Sequence, residues 1–415
     1  MPSYTTSYTK ETTLRVAKRY RNAKRAYLLV NPLQAKHMPV SPTEALTMMR
    51  TLGEGLRQEF PGTRLVLGFA ETATALGAAV ASRLGPDCAF LTTTREAGEG
   101  PGWVRFLEEH SHAAEQKLWG GDLDALLQKT DTVLFVDDEI STGKTLRNMV
   151  AQLTRRWPAL GEKTLVAASL LNRVTPEQEE ALADAGITCR CLVRLPQEDH
   201  TAQVADWTVT EAPPAVPQNL SFRQETLPGE GLLDPRKTLR IGAYDRSCQA
   251  VAEDMLSRAL GPVETLGKTL VLGTEECMYP ALRLGEGLER LGAEVCCHAT
   301  TRSPIGLCDA PGYPIRSGWK LPSFYEEERT TYVYNLKEYD TVIVVSDTKK
   351  TDLRAIQALA SVLTCKHLIY TQGEGYVWKL SKGRRDAAAQ GHHRPNRTLG
   401  HPGAGAKDPK RHALL

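Results

Sequence analysis

Val133 to Thr145, VLFVDDEISTGKT, sets two adjacent carboxylates, Asp137 and Asp138, between an apolar run and a short loop of hydroxyls, a glycine and a lysine. Ionised carboxylates accept hydrogen bonds and donate none, so a vicinal diol suits them and a bare phosphate does not. The loop has the opposite preference. Gly143 permits close backbone approach, amides opening a helix at Leu146 can hold an anion, and Ser141, Thr142 and Thr145 add hydroxyl donors beside Lys144. A ligand carrying both a sugar diol and a phosphate fits the pair. Gly143-Lys144-Thr145 also matches the end of a nucleotide-triphosphate P-loop, but that motif needs a glycine five positions earlier, where this chain has Asp138.

These residues need elements to hold them. Val133 to Val136 reads as a parallel strand buried on both faces, and ligands of open α/β sheets bind beyond such strand ends. Arg64 to Gly68, RLVLG, reads as another strand, and Phe69, Ala70, Glu71, Thr72 and Ala73 lead into a helix rich in Ala and Leu. That exit is a second strand-to-helix anion site. Phe90 to Arg95 is a strand ending in a cation, and the Gly-rich Glu96 to Gly102 reads as a mobile loop. Beyond it, FLEEHSHAAEQKLWG carries His110, His112, Glu115 and Lys117 on an amphipathic hairpin or helix, and the two histidines lack a third ligand for zinc. Nearer the start, Ala26 to Asn31 is strand-like and is followed by a Pro-bounded loop with Lys36 and His37.

VDDEISTGKT resembles the 5-phosphoribosyl-1-pyrophosphate (PRPP) motif of type I phosphoribosyltransferases. The resemblance implies a parallel-sheet, Rossmann-like α/β core with a mobile flap and a variable hood, and magnesium-dependent transfer of ribose 5-phosphate to a nitrogenous, base-like acceptor. It implies that Asp137 and Asp138 hold the ribose hydroxyls and assist Mg2+ directly or through water. It also implies that Glu139, Ile140, Ser141, Thr142, Gly143, Lys144 and Thr145 hold the 5-phosphate, and that Phe69 to Ala73 contact pyrophosphate. Arg95, His112 and Lys117 become candidates for the leaving pyrophosphate or the acceptor, with Arg95 the catalytic one, and Lys36 and His37 candidates for the acceptor. A PRPP-sensing protein without transfer is the alternative.

A chain of 415 residues, 41% hydrophobic, suffices for two or three packed domains. No apolar run reaches bilayer length and the N-terminus lacks the apolar core of a secretory signal, so a cytoplasmic protein with no membrane partner is expected. The nine cysteines have no paired CxxC spacing and read as reduced thiols. Net charge is +2, yet from Lys379 onward nine Lys or Arg face two Asp, which leaves the remainder at −5. This basic tail reads as disordered, able to touch nucleic acid only weakly. The expected organisation is a polar segment 1–25, a phosphoribosyltransferase domain 26–210, a Pro- and Gly-rich linker 211–236, a second α/β domain 237–382 and the tail 383–415. A homo-oligomer is expected.

The second half echoes the first. Leu65-Val66-Leu67-Gly68 parallels Leu270-Val271-Leu272-Gly273, Thr93-Thr94-Arg95 parallels Thr300-Thr301-Arg302, and the strand from Asp131 parallels the one from Asp340. A duplicated or convergently similar α/β unit follows, degenerate where PRPP would sit: Ser346-Asp347 replaces the Asp pair, and Thr348 to Thr351 lacks glycine. GTEE at Gly273 to Glu276, TTRSPI at Thr300 to Ile305, GYPI at Gly312 to Ile315 and LPSFYEEERTTYVYNL at Leu321 to Leu336 resemble the TRSP domain. That resemblance implies a bacterial protein from stress gene clusters of the tellurite-resistance type, thought to make a nucleotide-like metabolite. Glu275, Glu276 and Arg302 fall at strand ends, where α/β sites form, and Arg302 is a candidate for completing the acceptor pocket.

Overall fold

The computed structural model describes residues 6–22, 25–96, 98, 100–106, 116–220, 222–227, 231–350, 352–373 and 375–381. The first half runs α1 (Lys10–Thr13), β1 (Arg15–Lys18), β2 (Tyr27–Val30), α2 (Pro42–Glu59), β3 (Thr63–Gly68), α3 (Ala73–Leu84), β4 (Ala89–Thr92), β5 (Trp103–Phe106) and β6 (Gln116–Trp119). It continues through α4 (Leu123–Leu127), β7 (Thr132–Ile140), α5 (Lys144–Arg156), β8 (Thr164–Asn172), α6 (Pro176–Ala183), β9 (Ile187–Arg194) and α7 (Thr201–Ala205). The second half runs β10 (Arg223–Thr226), β11 (Leu239–Arg240), α8 (Ile241–Met255), β12 (Thr269–Gly273), α9 (Tyr279–Arg290), β13 (Val295–Ala299), β14 (Gly318–Pro322) and β15 (Thr330–Tyr334). It closes with β16 (Thr341–Val345), α10 (Arg354–Val362), β17 (His367–Gln372) and β18 (Tyr376–Ser381).

Two six-stranded sheets result, ordered β11-β4-β3-β7-β8-β9 and β10-β18-β17-β16-β12-β13. Within them β4-β3-β7-β8 and β13-β12-β16-β17 are parallel and have the same order, as the sequence echo predicts. The match extends to single hydrogen bonds. Thr93 N–H donates to Gly68 O (2.9 Å) and Thr300 N–H to Gly273 O (3.0 Å), so each strand exit is tied in the same way. Each half also has an antiparallel hairpin, β5–β6 or β14–β15, bridged to that exit at Thr94↔Lys117 or Thr301↔Tyr332.

The halves are not separate. Helix α2 starts where Pro42 occupies the first turn and Ser41 Oγ accepts from Glu44 N–H (3.2 Å). It packs with α3 against α8 and α9, and Leu52, Val66, Val80 and Phe90 share one apolar core with Met255, Val271, Leu282 and Leu288. The approach is close: a Cβ on Gly285 of α9 would sit 2.5 Å from Cys297 Sγ and 3.0 Å from Pro42 Cγ. Strand β11 adds to the first sheet beside β4, although its residues follow the expected linker. Within that 211–236 stretch, β10 joins β18 and Ala215 N–H donates to Lys320 O (2.9 Å). The 1–25 segment, expected to be merely polar, contributes β1, whose Ala17 is buried with Leu28, Ile305 and Tyr334.

Candidate functional site

Strand β7 carries its apolar run into the sheet centre and emerges half-buried at Asp137, Asp138 and Glu139. Asp138 N–H donates to Asp137 Oδ1 (2.9 Å). Arg173 Nε donates to Glu139 Oε1 (2.6 Å), and its Nη1 donates to the Tyr27 hydroxyl (3.1 Å). Gly143 then turns the chain at φ +70°, and a Cβ there would meet Leu182 Cδ1 at 2.6 Å, so only glycine fits without strain. Helix α5 follows with no acidic residue in its first turn, leaving its positive end unopposed. A cavity of about 80 Å³ opens here, lined by Phe69, Phe135, Asp137, Glu139, Ser141 and Lys144 among others. Burial raises the Asp137 carboxyl well above its ordinary range, and the charge of Asp138 adds to the effect. Burial also raises Asp138, although Lys36 pulls the other way. Such a pair favours a hydrogen-bond donor or a cation beside it.

The loop after β3 is held at its base, where Phe69 N–H donates to Val136 O (2.9 Å) and Ala70 N–H to Thr93 Oγ1 (2.9 Å). Glu71 is buried against Lys36 and accepts from Arg302 N–H (3.4 Å). Burial would raise its carboxyl, but Lys36 and Arg302 outweigh that and hold it below the usual range. The corresponding loop of the second half does the reverse: Glu276 Oε1 accepts from Arg95 N–H (3.0 Å) and its Oε2 from Thr94 Oγ1 (2.7 Å). Each half thus gives its loop carboxylate to the other half's Thr-Thr-Arg exit.

Between them lies a buried ion network. Arg302 contacts Glu275 (2.9 Å), Glu276 (3.4 Å), Glu71 (3.7 Å) and Glu96. Arg329 spans Glu96 (2.6 Å) and Glu275 (3.0 Å), while Arg236 spans Glu276 (3.2 Å) and Asp347 (2.5 Å). Burial, reinforced by Glu276, pushes the Glu96 carboxyl up to about 7 despite Arg302. A folded-state value above the unfolded one means that the folded protein binds more protons between the ordinary 4.5 and about 7, so stability falls as pH rises through that window. Glu96→Gln is expected to flatten this fall, as measured by denaturant unfolding at several pH values. An unchanged profile would remove Glu96 from the network's titration.

The remaining candidates are placed as follows. Lys36 and His37 sit on a loop that is buried rather than solvated, because Val40 bridges to Cys297 of the second half. Lys36 is spent on Glu71, and burial with the nearby Lys36 charge holds His37 neutral, well below its ordinary value. Lys117 lies on β6, its Nζ donating to Glu96 O (3.4 Å). Arg95 is half-buried, and its Nε is buried with no hydrogen-bond partner among the described residues. His112 lies outside the described residues. Thr72 and Ala73 open α3, and Thr74 Oγ1 donates to Glu276 O (2.8 Å). Sequence reasoning missed Glu96, Arg236 and Arg173 as partners. The first lay in a Gly-rich stretch and the second in the expected linker; only Arg173, one residue beyond β8, had a strand-end position to mark it.

Residues 13–196 match the family model described as "Phosphoribosyl transferase", and residues 238–363 match the one described as "TRSP domain C terminus to PRTase_2". Similar solved structures include adenine phosphoribosyltransferase from Trypanosoma brucei, at 18% identity over 44% of this chain and 77% of that one, TM-score 0.33. Orotate phosphoribosyltransferase from Aeropyrum pernix aligns at 16% identity over 45% and 89%, TM-score 0.29. Hypoxanthine phosphoribosyltransferase from Staphylococcus aureus aligns at 18% over 38% and 76%, TM-score 0.25. No curated protein matches the chain. The α/β fold and the first match define a phosphoribosyltransferase. With the second match, the chain carries a phosphoribosyltransferase domain followed by a TRSP domain.

Proposed function

We propose that the chain transfers ribose 5-phosphate from PRPP to a nitrogenous, base-like acceptor, releasing pyrophosphate. The observation that carries this is the end of β7, where carboxylates and the Gly143-capped, acid-free start of α5 share one cavity. Asp137 and Asp138 take the ribose hydroxyls, and the loop from Glu139 to Thr145 takes the 5-phosphate. In the loop Phe69 to Ala73 the amides of Glu71 and Thr72 serve pyrophosphate, those of Phe69, Ala70 and Ala73 being committed to Val136 O, Thr93 Oγ1 and Phe69 O, and Arg95 and Lys117 stand beside the loop on the exit of β4 and the β5–β6 hairpin. As the acceptor nitrogen bonds to C1, the C1–O bond breaks, its electron pair leaves with pyrophosphate, and the acceptor's proton is released. The chain's contribution is alignment and fixed charge around a cationic ribosyl centre.

Magnesium fits this donor set in part. Two carboxylates raised by burial, Asp137 further by the charge of Asp138, favour a cation, but two donors alone would leave most of its ligands to PRPP oxygens and water. Among the described residues no group of three or more His, Cys, Asp or Glu is arranged to hold a metal. Bound there, magnesium would neutralise charge on the departing pyrophosphate. Among the described residues no helix is long and apolar enough to cross a membrane. We assign the enzyme to the cytoplasm and its product to a stress-linked, nucleotide-like metabolite, as the resemblance to TRSP-bearing proteins of stress gene clusters implies. Arg302, 3.7 Å from Glu71, is the second half's candidate for completing the acceptor pocket.

One feature favours a second reading, PRPP binding without transfer. Glu71 brings a carboxylate to the loop meant for pyrophosphate, and its neighbouring cations already serve it. Titrating PRPP with magnesium into the full chain by calorimetry, then assaying pyrophosphate release over a panel of bases, separates the readings. Binding with acceptor-dependent release supports transfer, binding alone supports the sensor, and no binding overturns both.

A further inference from the structure

We propose that Glu276, which belongs to the second half, is a positioning residue for the first: it ties together the two elements that bound the pyrophosphate loop and so fixes where Arg95 stands. The inference rests on the reading of the first half as a PRPP site. The loop Phe69 to Ala73 runs into α3 and is tied to the exit of β4, where Thr93 Oγ1 accepts from Ala70 N–H (2.9 Å). Glu276 holds both of these elements. Its carbonyl accepts from Thr74 Oγ1 in the first turn of α3 (2.8 Å). Its carboxylate accepts from Thr94 Oγ1 (2.7 Å) and from Arg95 N–H (3.0 Å), both on the β4 exit.

The local structure keeps Glu276 from swinging away. Glu275 before it adopts φ +47°, a left-handed conformation uncommon outside glycine, in a turn closed by Cys277 N–H donating to Thr274 O (2.8 Å). The Glu276 side chain is buried, and Arg236 Nε (3.2 Å) and Arg302 Nη2 (3.4 Å) join Thr94 and Arg95, so that four donors converge on its two oxygens. That fills the accepting capacity of an ionised carboxylate. The two Thr-Thr-Arg exits then end differently. Arg302 spends its guanidinium on Glu275, Glu276 and Glu96, whereas Arg95 Nε is buried without a hydrogen-bond partner and Arg95 forms no ion pair among the described residues. The first half's exit therefore keeps a cation in reserve for an anion, and the second half holds the main chain that carries it. A charge fixed in place before the ligand arrives costs no reorganisation when the anion binds.

Inorganic pyrophosphate with magnesium, and ribose 5-phosphate, titrated separately into the full chain by calorimetry, report the two parts of the site without an acceptor. Glu276→Asp keeps the charge but shortens its reach by one methylene; it is expected to weaken pyrophosphate about tenfold or more and to leave ribose 5-phosphate within about twofold. Glu276→Gln keeps the reach and one oxygen and should lose less. The reverse order, with Gln the more damaging, would make Glu276 a counter-charge for Arg236 and Arg302 and overturn the proposal. Arg95→Ala should weaken pyrophosphate as well, and adding Glu276→Asp to it should bring no further loss, because the one acts through the other. Additive losses would mean that Glu276 acts elsewhere. Pyrophosphate affinity indifferent to Glu276 or to Arg95, with ribose 5-phosphate still bound, overturns this proposal alone; failure of the parent chain to bind either probe overturns the PRPP reading with it.

Discussion

Asp137→Asn combined with Asp138→Asn is expected to weaken PRPP binding by about a hundredfold or more while making the empty protein more stable. The affinity loss follows from removing two charged acceptors, each worth about 1.5–3 kcal/mol in hydrogen bonds to a hydroxyl. The stability gain follows from the same burial that raises both carboxyls: asparagine has the same shape but carries no charge to desolvate and none to repel its neighbour. Because both carboxyls are raised in the fold, their ionisation destabilises it as pH rises above the ordinary carboxylate range, and the gain should be larger at pH 8 than at pH 5. Calorimetry and urea unfolding check the two halves of the prediction. A variant that binds PRPP as well as the parent would remove the cradle assignment, and a destabilised one would mean that the aspartates hold the strand end rather than await a ligand.

Arg302→Met should be the most damaging single change outside the sheets. The side chain is only 13% exposed, and its loss leaves Glu71, Glu96, Glu275 and Glu276 facing one another with less compensation. Removing one partner of a buried ion pair costs about 3–5 kcal/mol, far more than a surface bridge. Guanidinium unfolding measures the loss. Arg302→Lys should recover only part of it, because a point charge cannot reach Glu96 and Glu275 at once as the guanidinium fork does. Adding Glu276→Gln to Arg302→Met should restore more than half, since it removes one of the orphaned charges. A loss below about 1 kcal/mol would mean that water reaches the cluster and screens it.

Much of the architecture was legible because it rests on short-range rules. The apolar runs from Leu65, Val133, Leu270 and Val342 became parallel strands, and the repeated spacing from glycine to Thr-Thr-Arg pointed to a duplicated or convergently similar unit, to which the common order of the four parallel strands in each sheet corresponds. Glu275, Glu276 and Arg302 do meet, as their strand-end positions suggested. What pattern could not reveal was which half each group serves. Arg236 reads as one more charge in a Pro- and Gly-rich stretch, and only the packing of α8 and α9 on α2 and α3 brings it to Glu276. Likewise, nothing local to Lys36 distinguishes a solvated lysine from one buried on Glu71; that pairing depends on a loop covered from far along the chain, where Val40 bridges to Cys297.

The placement of β11 has a practical meaning. Two residues beyond the Pro- and Gly-rich stretch already belong to the first sheet, and the shared apolar core has no seam that follows the sequence boundary. A protease that nicks the chain between 216 and 222 should therefore leave a particle that stays whole on a sizing column, with both fragments retained until denaturant is added. Expressed alone, the first 210 residues would present the bare faces of α2 and α3 to water and should be recovered only when the remainder is supplied in the same cell.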